Sequence, residues 1–180
     1  SVMFKGAKSF NQLLNFNTEN VTNMSQMFTI AKSFNQPLNF NTKNVSNMSE
    51  IFYSATSFNQ SLDWDTKNVT DMKGMFSFAE SFNQFLNFTS TKNVTDMSEM
   101  FGSAESFNQL LNFNTENVTN MKRMFINAKS FNQTLTFNTE NVTDMSNMFD
   151  EAKSFIDYKM LLKVKLIKVE YTHSGYCSLA

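Results

Sequence analysis

A valine returns at Val21, Val45, Val69, Val94, Val118 and Val142, at spacings of 24, 24, 25, 24 and 24 residues. A fixed period in this range marks a stack of identical units, none of which can bury its apolar face alone. One copy runs from Asn20 to Lys43. Further copies begin at Asn44, Asn68, Asn93, Asn117 and Asn141, and a partial coil covers residues 1–19. Residues 1–155 therefore read as one repeat array of about seven coils, and residues 156–180 as a divergent C-terminal cap or tail. The single 25-residue copy carries its extra residue in Phe88-Thr89-Ser90-Thr91. A turn is the expected place for it, because a slip inside an element would rotate apolar residues out of the core.

Within each copy the apolar period changes. Met24, Met27, Phe28 and Ala31 lie at i, i+3, i+4 and i+7, one face of a helix. The residue before that face is always Asn or Asp, both good N-caps: Asn23, Asn47, Asp71, Asp96, Asn120 and Asp144. The pattern predicts a helix of two to three turns over Met24 to Lys32 in every copy. Leu38-Asn39-Phe40 then alternates in the period of a strand, and Asn41-Thr42-Lys43-Asn44 reads as a turn. Val45 re-enters the core, in either a second short strand or an extended lead-in. Stacked strand–turn–helix coils give an α/β repeat solenoid, leucine-rich-repeat-like, with a parallel sheet on one face and strands about 4.8 Å apart. All 21 phenylalanines and 12 of the 13 methionines precede Ile156, so the core draws on a narrow palette.

The tail abandons the pattern. Lys163-Val164-Lys165-Leu166 and Val169-Glu170-Tyr171 alternate like strand segments. A terminal unit that covers the last open coil is the expected role, with a docking or membrane-surface segment as the alternative. The chain opens in mid-repeat with no signal peptide, which reads as a fragment or processed product. No apolar run is long enough to span a membrane.

The string Asn-Val-Thr-Asn-Met-Ser-x-Met-Phe-x-x-Ala-x-Ser-Phe-Asn-Gln-x-Leu resembles the Met/Phe-rich branch of the BspA-like leucine-rich-repeat surface proteins. Similar segments occur in bacterial surface lipoproteins, including those of mycoplasmas, and the resemblance covers residues 2–155. It implies a cell-surface or secreted location and a non-catalytic role in adhesion or host interaction. It carries over no ligand-binding residues, and the chain departs from the family in lacking the lipoprotein leader and in its tail.

The residues themselves favour a chain without catalysis or cofactor. Net charge is −1, with 11 basic and 14 acidic side chains in residues 1–155 and no basic stripe for nucleic acid. The only histidine, His173, and the only cysteine, Cys177, share the tail with no further metal ligands nearby. A phosphate-cradling loop is absent, and the acidic side chains occupy differing repeat positions, as solvated charges do. The recurring Asn-Val-Thr/Ser strings are formal glycosylation sequons, but their period favours a structural role in which Asn bonds the backbone of a neighbouring coil.

Partner recognition, by an unknown host or cell-surface protein or a glycan, falls to slots that vary between copies. One slot reads Leu13, Pro37, Ser61, Phe85, Leu110, Thr134; another reads Thr29, Tyr53, Ser77, Gly102, Ile126, Asp150, followed by Ile30, Ser54, Phe78, Ser103, Asn127, Glu151. Leu13, Tyr53, Phe78, Phe85 and Leu110 are the candidate partner-binding residues. Leu13, Phe85 and Leu110 either form an exposed apolar strip or tuck between coils. A structural spacer without a ligand is the alternative function. A remoter one is ice binding through the ladder Thr18, Thr42, Thr66, Thr91, Thr115, Thr139.

Overall fold

The computed structural model describes residues 2–157 together with Met160 and Lys163. Successive copies stack, so that equivalent residues about 24 positions apart face one another. Their backbones meet in single parallel bridges from Asn23 to Asn47, Asp71, Asp96, Asn120 and Asp144 in turn, with one more from Leu62 to Leu86.

The α/β architecture expected from the sequence does not form: among residues 2–157 there is no helix and no strand longer than an isolated bridge, hence no parallel sheet. The supposed helix is a train of four-residue turns. Met27 N–H donates to the Met24 carbonyl and Ala31 N–H to the Phe28 carbonyl. The third residue of each turn, Gln26 at φ 58° and Ile30 at φ 61°, is left-handed, as a type II turn requires. A left-handed residue at every fourth position forbids the i→i−4 ladder. The intervening N–H groups of Met24, Gln26, Phe28 and Ile30 donate instead to Asn47, Ser49, Ile51 and Tyr53 of the following coil. A four-residue turn returns nearly the same face as a helical turn, so Met24, Met27, Phe28 and Ala31 are buried as the period required.

The residues read as N-caps cap turns. Asn23 Oδ1 accepts the Ser25 N–H at 2.8 Å, and Asp71 Oδ1 that of Lys73 at 2.9 Å. The stretch before them is the extended lead-in, where Ser46 N–H reaches the Thr22 carbonyl at 2.8 Å and Thr70 N–H the Ser46 carbonyl at 2.9 Å. On the opposite flank Leu38, Asn39 and Phe40 alternate in, out and in as expected. Here side chains, not a backbone ladder, join most coils, and no strand results. Asn59 Oδ1 accepts the Asn83 N–H at 2.9 Å and Gln84 Nε2 at 3.1 Å, a pair repeated through Asn11, Asn35, Asn83 and Asn108.

Aromatic rings fill the interior in columns. Phe28, Phe52, Phe76, Phe101, Phe125 and Phe149 stack at 5.5–5.7 Å between centroids. A second column through Phe34, Phe58, Phe82, Phe107, Phe131 and Phe155 stacks at 5.7–6.0 Å. Within a coil the two columns meet at about 4 Å, as in Phe52–Phe58 at 3.9 Å. The constant alanines, such as Ala55 and Ala79, are fully buried beside them.

At the C-terminal end Asp157 accepts the Leu135 N–H at 3.2 Å, Met160 is buried, and Lys163 Nζ donates to the Phe137 carbonyl at 3.3 Å. Lys163 has helical backbone where a strand was expected to begin; the rest of both expected strands, with His173 and Cys177, lies outside the described residues.

Candidate functional site

The outer slots of the extended flank follow from its alternation. Leu14, Leu38, Leu62, Leu86, Leu111 and Leu135 point inward, so the residue before each points out. Leu13 is 71 % exposed, Phe85 48 % and Leu110 54 %. None of the three tucks between coils. They do not form one continuous strip either: Pro37 and Ser61 separate Leu13 from the others, and only Phe85 and Leu110 occupy adjacent coils. Tyr53 and Phe78 lie on the turn train, where their rings meet edge to face at 5.5 Å. Phe78, 42 % exposed, is itself left-handed at φ 58°. The structure thus brings the candidate residues together as two pairs and leaves Leu13 apart.

Beside Phe85 lies a depression of about 250 Å³, lined by residues 85–91 and 112–114. Its floor is the turn that takes up the extra residue. Thr89 bends there, its N–H donating to the Trp64 carbonyl at 3.4 Å and its Oγ1 to Asp65 Oδ1 at 2.9 Å. The register recovers at once, since Thr91 is buried and donates Oγ1 to the Asn114 carbonyl at 2.9 Å. Asn87 Nδ2 donates to Asp63 Oδ1 at 3.1 Å. The Lys67 backbone N–H, more than the Thr89 hydroxyl, holds the Asp65 carboxyl below its ordinary pKa. This depression escaped the reading of variable slots, yet a signal was present: the one copy of 25 residues.

Two ladders have other duties. Thr18, Thr42, Thr66, Thr91 and Thr115 are buried, and each donates Oγ1 to a carbonyl of the following coil, as Thr42 does to Asp65 at 3.0 Å. Those hydroxyls fasten the stack and present no face to ice, which removes the basis of that alternative. The sequon side chains of Asn44, Asn68, Asn93, Asn117 and Asn141 donate to carbonyls of the preceding coil at 2.7–2.9 Å. Among the described residues no group of three or more His, Cys, Asp or Glu is arranged to hold a metal ion, and no helix is long and apolar enough to cross a membrane.

The geometry defines a repeat protein of stacked, turn-built coils with a repeated core and a varied outer surface. The chain belongs to the family described as "Mycoplasma protein of unknown function, DUF285", which matches residues 1–88 and 62–161. No curated protein and no solved structure matches it.

Proposed function

We propose that this chain is a non-catalytic recognition module, surface-displayed or secreted, that binds a protein or glycan partner through the outer face of its coils. One observation carries the reading: Phe85 and Leu110, large apolar side chains in adjacent coils, stand about half exposed where folding does not need them. At the same position Ser61 and Thr134 serve equally well. Apolar groups kept in water at positions free to be polar mark an interaction surface. The surface location rests on the resemblance of the repeat to BspA-like surface proteins.

The test is binding of the purified, labelled array to intact host cells and to a broad glycan panel. Saturable attachment to a defined class is the expected result. No attachment at concentrations on the order of tens of micromolar would overturn the reading in favour of a spacer.

A further inference from the structure

The depression beside Phe85 has a chemistry of its own. We propose that it binds one ring of a neutral saccharide, with a C–H face of the sugar against Phe85 and hydroxyls against the amides of Asn87 and Asn112. The inference rests on the recognition reading above and narrows it to one site and one ligand class.

Size, charge and hydrogen-bonding capacity agree. About 250 Å³ is below the roughly 300–1,000 Å³ of sites for drug-sized ligands and suits a single sugar ring. The polar side chains that line it are amides and hydroxyls, with no lysine, arginine, aspartate or glutamate among them. An anionic ligand would find no counter-ion there, and Asp63 and Asp65 in the preceding coil disfavour it further.

A sugar hydroxyl both donates and accepts, and an amide side chain offers both functions. The Asn87 side chain is already oriented by its bond to Asp63, which leaves its carbonyl oxygen able to accept. Phe85 is half exposed, stacks on no other ring among the described residues and stands at the rim of the depression, where a pyranose seated on the amides can lay polarised C–H bonds against it. The extra residue at Thr89-Ser90, which lies in the lining of the depression, occurs in this copy alone.

The experiment is titration of the full chain with methyl β-glucoside, methyl β-galactoside and N-acetylglucosamine, and with N-acetylneuraminate as the anionic arm. Binding is read from the backbone amide resonances of Asn87, Ser90 and Asn112. At least one neutral sugar should saturate these shifts, with a dissociation constant on the order of 1 mM. Phe85→Ser and Asn112→Thr place there the residues found at Ser61 and Thr136 of other coils, so the fold accommodates both. Each should weaken binding about tenfold with the melting temperature unchanged.

Several results would overturn the proposal: no neutral sugar shifting these resonances at concentrations on the order of 100 mM, equal binding by Phe85→Ser, or equally tight binding of N-acetylneuraminate. Cell attachment that survives without sugar binding would remove this site and leave the recognition reading intact. Sugar binding without cell attachment would keep this site and remove the host cell surface as the source of its ligand.

Discussion

The buried threonines and the half-buried Asp71 carry the residue-scale chemistry of the stack. Thr42 is 1 % exposed and its hydroxyl serves the Asp65 carbonyl of the next coil. Thr42→Val keeps the shape and leaves that partly buried carbonyl short of a donor, at a cost of about 1–2 kcal/mol in chemical denaturation; an unchanged midpoint would contradict the role assigned to the hydroxyl. Burial raises the pKa of Asp71, assisted by the charges of Asp96 and Glu50 and opposed by the backbone N–H and charge of Lys73. Between its ordinary value of 3.8 and the raised folded value, the native state holds more protons than the unfolded chain. Asp71 therefore removes stability as pH rises through that window. Asn occupies the same position at Asn47 and Asn120 and can accept the same turn bond. Asp71→Asn should stabilise the protein at pH 7, with the gain shrinking as pH falls through the window. A gain that does not vary with pH would show that desolvation of the carboxylate is not its source.

At the scale of elements, the unit of structure is the turn, and its bonds run between coils as often as within them. Asn59 shows the consequence, since one side-chain oxygen holds both the backbone of Asn83 and the amide of Gln84. Asn59→Ala should cost about 1–3 kcal/mol by thermal melting, more than an ordinary surface substitution. A loss within about 0.5 kcal/mol would mean that the aromatic columns alone hold adjacent coils. This level is where reading the sequence went astray. The burial of Met24, Met27, Phe28 and Ala31 was legible, because apolar spacing reports which side chains face inward. The backbone was not, because a four-residue turn and a 3.6-residue helical turn bury nearly the same positions. Nothing in Gln26 or Ile30 announces a left-handed residue; of the corresponding positions Gly6 and Gly74 carry glycine, and Asn127 and Asn147 the next most tolerant type, too few of the set to reveal the turn. The inter-coil bonds that make those conformations worthwhile join residues more than twenty positions apart, beyond the reach of any local pattern. The Leu38–Phe40 flank was misjudged for the same reason. Its alternation was real, but the coils are joined there by the side-chain amides just before it, at Asn35 and Gln60, and not by a backbone ladder through Leu38–Phe40.

For the whole molecule, repetition divides the labour. Phe, Met, Ala and buried Thr recur to build a core that each coil extends to the next, while slots such as 61, 85, 110 and 134 are relieved of packing. The exposure of Phe85 and Leu110 was one of two outcomes open from the sequence, because alternation gives a direction but not the closeness of the neighbouring coil. The depression beside them depends on how one extra residue folds into a turn, which spacing locates and cannot shape. Recognition by this face is the central claim, and Phe85→Asp with Leu110→Asp tests it most directly, with melting temperature and saturation binding to intact host cells measured on the same samples. The account predicts a melting temperature unchanged within about 2 °C and binding weakened at least tenfold, a loss of about 1.4 kcal/mol or more. A collapse in stability would show that these side chains belong to the core, and undiminished binding by a fully folded variant would show that the partner docks elsewhere.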